Sequence, residues 1–103
     1  MRKANIFMQD QLAGTLIEFE KNRRYRFSYL DNYDGLPISL TMPTVQKDYE
    51  FTGFPAFFDG LLPEGFQLEA LLRKRKIDRD DLFGQLLIVG QDMVGALTVV
   101  DEK

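Results

Sequence analysis

Cysteine and histidine are both absent from the 103 residues. Without cysteine there is no disulfide, no thiolate zinc site and no thiol nucleophile. Without histidine the commonest general base and the commonest metal ligand are missing too. Any catalysis would fall to Asp, Glu, Lys, Tyr or Ser. Long apolar runs are also lacking. Nothing approaches a membrane span, and the opening Met1-Arg2-Lys3-Ala4-Asn5-Ile6-Phe7 has no long apolar stretch behind its charges to make a secretory signal. The expected address is the cytoplasm, with no membrane partner. An excess of positive charge is missing as well. The formal net charge is -3, which weighs against direct nucleic-acid contact, since that needs a basic face.

What is present fits one domain over residues 1–103. Hydrophobic residues make up 45%, enough to argue against disorder. A chain of this length buries roughly 60–70% of its unfolded surface and needs no staples. No repeat, low-complexity tract or linker interrupts it. The first half reads as strands and the second as helices, which predicts an α+β fold. A small antiparallel sheet is expected, made of an N-terminal meander plus a C-terminal strand, with helices in the second half.

Ala4 to Met8 predicts a first strand, turned by Gln9-Asp10-Gln11. In the next segment Ala13, Thr15, Ile17 and Phe19 share one face and Leu12, Gly14, Leu16 and Glu18 the other. Apolar residues on both faces predict cover on both sides near the start of this strand. Lys21-Asn22-Arg23 reads as a hairpin turn. Tyr25, Phe27 and Tyr29 then alternate with Arg24, Arg26 and Ser28, a half-buried strand with its aromatics inward. Asp31-Asn32-Tyr33-Asp34-Gly35 is dense in turn formers. Pro37 to Met42 predicts a short extended piece, and Thr44 to Glu50 a loop or edge strand.

Pro55 suits the first turn of a helix, where its missing N–H would have no partner anyway. Phe57, Phe58, Leu61 and Leu62 follow at helical spacing, and Pro63 ends the run. Pro63-Glu64-Gly65 opens a second helix with Leu68, Leu71 and Leu72 as its stripe. Arg73-Lys74-Arg75-Lys76 closes it at the negative end of the dipole. Asp78 is the expected cap of a third helix, with Asp81 as its capping-box partner. Leu82, Phe83, Leu86, Leu87 and Val89 lie along it, and Gly90 ends it. Val94 to Val100 is expected to return to the sheet.

The fragments that resemble catalytic signatures fail on context. Phe58-Asp59-Gly60 reverses the first two residues of the kinase magnesium tripeptide. No catalytic-loop Asp/Asn pair, strand lysine or phosphate-cradling glycine loop accompanies it. Asp80 and Asp81 are neighbours on a helix and point apart. Asp31, Asp34 and Glu50 lack calcium-loop spacing. No metal and no cofactor is expected. Arg23-Arg24-Arg26 and Arg73-Lys74-Arg75-Lys76 read as a solvated hairpin and a helix end.

The aromatic load says more. Nine Phe and four Tyr exceed what so small a core needs, and Phe54, Phe57, Phe58 and Phe66 crowd the stretch around Leu61-Leu62-Pro63-Glu64-Gly65. Phe66 lies off the leucine stripe. An aromatic exposed beside polar groups is what an interface anchor looks like.

Several of these blocks together resemble a known family. They are Leu12-Ala13-Gly14-Thr15-Leu16, Tyr25-x-Phe27-x-Tyr29, Leu36-Pro37-Ile38-Ser39-Leu40 with Pro43, Phe57-Phe58-x-x-Leu61-Leu62-Pro63-Glu64-Gly65, Asp81-Leu82-Phe83, and Gly90-x-Asp92-x-Val94-Gly95-Ala96-Leu97. The likeness is to the N-terminal subdomain of HipA-type Ser/Thr kinase toxins and spans Leu12 to Val100. Those toxins continue into a kinase domain, whereas this chain ends at Lys103. It therefore resembles HipS-type antitoxins, the small separate subunits of tripartite HipBST systems. The resemblance implies a non-enzymatic protein that binds and neutralises a HipT-type kinase, in a ternary complex with a HipB-type DNA-binding protein. The expected contact is the elbow Phe58, Leu62, Pro63, Glu64, Gly65 and Phe66, with Phe66 as an apolar plug. The alternatives are a non-inhibitory scaffolding or activating subunit of such a kinase, a DNA-binding module using the Arg23-Arg24-Arg26 hairpin, and a small enzyme of unknown chemistry.

Overall fold

The computed structural model describes residues 1–92 and 96–102. Five strands form one antiparallel sheet in the order β4-β3-β2-β1-β5. They are β1 Arg2–Met8, β2 Gln11–Glu20, β3 Arg24–Tyr29, β4 Asp48–Thr52 and β5 Leu97–Asp101. Helices α1 Ala56–Asp59, α2 Gly65–Arg75 and α3 Leu82–Val89 lie between β4 and β5, and a 3-10 turn at Gly90–Asp92 follows α3. The expected α+β architecture is the observed one, with the meander β1-β2-β3 and a C-terminal strand added beside β1. Val94 falls outside the described residues.

The period-two pattern explains the core. Tyr25, Phe27 and Tyr29 of β3 are buried on one face, beside Leu16 of β2, Ala4 and Ile6 of β1 and Val99 of β5. Phe58 of α1 and Phe83 and Leu86 of α3 complete that face. Phe27 meets Tyr29 edge-on at 4.8 Å, and Tyr25 stacks with Phe83 at 6.3 Å. Such pairs add directional preference to plain burial.

The two faces of β2 do not separate as the alternation predicts. The register shifts between Ile6 and Phe7, so that Ile6 faces Gly14 while Phe7 faces Leu12. Ala13 is the extra residue of this bulge, and Ala13 and Gly14 are both buried. A bulge breaks the alternation that face assignment relies on. Farther along, Thr15, Ile17 and Phe19 are half-buried, and the guanidinium groups of Arg24 and Arg26 lie 5.1 and 5.2 Å from the Phe19 ring.

Three further segments depart from the sequence pattern. Pro37 to Met42 forms no strand. The Ile38 N–H donates to Tyr29 Oη at 3.0 Å, and that hydroxyl donates to the Met42 carbonyl at 2.5 Å. A buried phenol thus takes the place of a partner strand. Thr44 to Glu50, expected as a loop or edge strand, is loop as far as Lys47, and the edge strand starts at Asp48 and runs on to Thr52. Helix α1 stops at Asp59, short of Leu62, because Leu61 and Leu62 turn back through N–H bonds to Phe58 and Asp59 at 3.1 Å.

Asp81, not Asp78, is the side-chain cap of α3. Its Oδ1 accepts from the Gly84 N–H at 3.1 Å. Residues 78–81 make a separate turn, closed by the Asp81 N–H on the Asp78 carbonyl. Gly90 does end α3, but its backbone is right-handed there. Glycine is needed for a different reason: a Cβ at Gly90 would stand 2.4 Å from Cβ of Val99.

One polar network ties the chain's start to α3. Arg2 Nε donates to Glu18 at 2.7 Å, and its Nη2 donates to Asp81 at 2.7 Å. The guanidinium also lies 5.0 Å from the Phe83 ring centre. Glu18 is only 5% exposed, and its second oxygen accepts from Tyr25 Oη at 2.8 Å. A buried carboxylate is tolerated when it is paired and bonded in this way.

Candidate partner-binding surface

The stretch from Phe54 to Phe66 divides its four rings. Phe54 packs edge-on against Tyr25 at 5.3 Å, and Phe57 against Phe58 at 5.1 Å. Phe58 is fully buried and contacts Phe27. The sequence placed Phe58 in the partner contact, but a side chain buried this completely presents no surface to a partner. Its place at the foot of the elbow instead anchors α1 to the sheet. Leu61 and Leu62 are half-buried against the core. Pro63 is half-buried, while Glu64 and Gly65 are exposed. Phe66 is 96% exposed.

The backbone explains how this happens. Glu64 is extended and occupies the N-cap of α2, where its side chain makes no capping bond. Its expected place inside the first turn is therefore moved one step outward. Its carboxylate stands free of any ion pair among the described residues, near the positive end of the helix. Gly65 has φ +59, with open space where a Cβ would be. That left-handed step is one a side chain rarely adopts. It turns the chain sharply into α2, and Phe66 follows it into solvent.

Helix α2 itself contributes no buried residue, although Leu68, Leu71 and Leu72 are half-buried. Arg73, Lys74 and Arg75 fill its last turn as expected. Lys76 closes it in a left-handed conformation, with its N–H on the Leu72 carbonyl. The helix is tied onward by Arg79 to Glu69 at 2.6 Å.

The competing sites dissolve on inspection of their partners. Arg26 pairs with Glu50, Arg23 lies 3.6 Å from Glu20, and Arg24 covers Phe19. The hairpin is therefore largely compensated by its own neighbours. Among the described residues no group of three acidic side chains converges to hold a metal, and no pocket opens. No helix among them is long and apolar enough to cross a membrane. Burial pushes the Tyr25 hydroxyl up to about 12. Burial works against the charge on Asp81, but the hydrogen bonds from Arg2 and from the Gly84 N–H outweigh it and hold this carboxyl below its ordinary value. Both groups belong to the Arg2 network, which is structural.

Sequence reasoning missed part of the exposed apolar surface. Besides Phe66, Leu40 is 96% and Val45 94% exposed, and Leu36 64%. All three lie between β3 and β4. The available signal was the length of that connection, since paired neighbouring strands can be joined by a few residues.

Comparison with known proteins agrees with this architecture. The HipA N-terminal domain family matches residues 4–100. An uncharacterized protein of Haemophilus influenzae is 32% identical over 103 residues, covering all of this chain and 95% of that one. A solved structure described as the N-terminal domain of HipA toxin superposes with a TM-score of 0.77 at 29% identity, covering all of this chain and 94% of the other.

Proposed function

Because the chain belongs to the HipA N-terminal domain family, we propose that it is the antitoxin of a HipA-related toxin–antitoxin system. In this reading it acts as one domain, residues 1–103, and does no chemistry of its own. It binds a HipT-type Ser/Thr kinase and neutralises it, within a ternary complex that includes a HipB-type DNA-binding protein. The Haemophilus relative is matched over 95% of its length, which leaves no room in it for a kinase domain. A free-standing subunit of that kind is the form proposed for this chain.

The observation that carries the reading is Phe66. The core takes in the other three rings of the segment, and this one is left 96% exposed. An aromatic side chain gives a large contact area with only two rotatable side-chain bonds to fix. In the proposed complex Phe66 enters the kinase cleft as an apolar plug. Glu64 meets a basic cleft residue, and Leu62, Pro63 and Gly65 form the shoulder of the contact. Phe58 supports them from within the core. Inhibition follows by occlusion or by holding the kinase lobes in a nonproductive pose.

Co-expression of a HipT-type kinase with wild-type chain or with Phe66→Ala tests this, using growth as the readout. Rescue by the wild type and killing with the variant is the expected result. Equal rescue would rule out the plug. Undiminished killing with the wild type would instead favour a scaffolding subunit.

A further inference from the structure

Residues 30–47 join β3 to β4 without helix or strand, although the two strands pair directly. A few residues would suffice for that turn, and long irregular connections in small domains are usually functional. This one is held in place by three tyrosines. Tyr29 Oη bridges the Ile38 N–H and the Met42 carbonyl. Tyr33 Oη donates to the Leu36 carbonyl, and Tyr49 Oη to that of Pro43 at 2.5 Å. Tyr29 and Tyr33 stack at 5.6 Å. Ile38 and Met42 are buried between these anchors.

The result is a fixed alternation. Leu36 and Leu40 point out where Ile38 and Met42 point in, and Val45 follows, also outward. Their exposure is imposed by a pinned backbone, so little ordering remains to oppose binding. The rim is acidic. Lys47 pairs with Asp31 and also lies in the field of Asp48, which accepts from Ser28, while Asp34 meets only the neutral donor Gln11. The segment from Leu30 to Asp48 thus sets three carboxylates against one lysine.

We propose that Leu36, Leu40 and Val45 form a second docking surface, which seats in an apolar recess rimmed by basic side chains on the HipT-type kinase. This inference rests on the kinase-binding reading above and adds a division of labour to it: the loop supplies hold and Phe66 supplies inhibition. The acidic rim selects this occupant. A second copy of the chain would bring carboxylates against carboxylates, and an anionic membrane would repel them.

The test is calorimetric titration of a purified HipT-type kinase with the full chain, alongside kinase activity. Leu40→Asp/Val45→Asp should weaken the Kd at least tenfold, while Phe66→Ala should lose inhibition and keep most of the affinity. Both exposed sites can take Asp without touching the core, and circular dichroism confirms the fold. Leu40→Ala, which leaves the charge unaltered, should weaken binding in the same direction. A double variant that binds within twofold of wild type overturns the docking surface and leaves the antitoxin reading standing. Wild-type chain that fails to bind the kinase overturns both. Self-association or binding to phosphatidylglycerol vesicles that the double variant abolishes, with kinase binding intact, also overturns the inference.

Discussion

Helix α3 buries Phe83, Gly84, Gln85 and Leu86 within its eight residues, whereas α2 buries none in eleven. The two follow one another in the chain, yet they are built for different neighbours. Asp81 caps α3 and is gripped by Arg2. Gln85, 1% exposed, donates to the carbonyls of Asp78 and Arg79 at 3.2 and 2.9 Å. Every polar group that α3 takes inside has a partner. Helix α2 begins at an uncapped Glu64 and a left-handed Gly65, and its first side chain is the exposed Phe66. The contrast separates a helix that completes a core from one that carries a surface. In the first, burial must be matched bond for bond; in the second, nothing internal depends on the side chains presented.

The largest effect is expected from cutting into α3. Phe83 is fully buried against Tyr25, with Arg2 over its ring. Phe83→Ala should cost about 3–5 kcal/mol in urea unfolding, which would leave so small a domain barely folded. A cost below about 1 kcal/mol would show that α3 is as dispensable to the core as α2. The next largest effect belongs to Arg2. Arg2→Met keeps the stem but leaves Glu18 buried with Tyr25 alone. About 2 kcal/mol should be lost, discounted for the part of Arg2 that reaches water. Glu18→Gln in the same background should recover part of that loss by removing the stranded charge.

Much of α3's side of the contrast was legible and its fastening was not. Leu82, Phe83 and Leu86 lie at helical spacing, and the aromatics of β3 alternate with polar residues, so periodicity finds both. The Arg2–Asp81 bond joins the first strand to the last helix, and no local pattern announces it. That is why Asp78, equally good as a local cap, looked like the helix start. Tyr29 misleads in the same way: its ring reads as core, but its hydroxyl takes hold of Ile38 and Met42 and turns an expected extended piece into a pinned loop. At the elbow, Phe58 and Phe66 are the same residue type on either side of Pro63. The offset of Phe66 from Leu68, Leu71 and Leu72 hinted at its exposure, while nothing local distinguished Phe58 as wholly buried.

Acid perturbs the anchoring of α3 more gently. The Asp81 carboxyl ionises below its ordinary value in the folded chain. Its contribution is therefore complete above the unfolded value near pH 4 and is lost as pH falls through the lower, folded value. Asp81→Asn should cost about 1 kcal/mol at pH 7, since the amide can still cap α3 but no longer pairs with a cation. Below pH 4 the urea midpoints of the two proteins should converge. Parallel midpoints down to pH 2 would mean that the Arg2–Asp81 pair contributes nothing to holding α3.

The smallest expected effect on stability belongs to Phe66. Alanine there removes a ring that contacts the core nowhere, so the unfolding midpoint should move by no more than about 0.5 kcal/mol. The sign should favour the variant slightly, because alanine is the better helix former by a few tenths. A loss as large as that of Phe83→Ala would mean that Phe66 packs in solution and that α2 belongs with α3. If stability holds while growth rescue is lost, the fold cannot be the reason for the ring. The side chain that costs least to remove would then be the one on which neutralisation depends, as expected when partner contact and core packing are assigned to different helices.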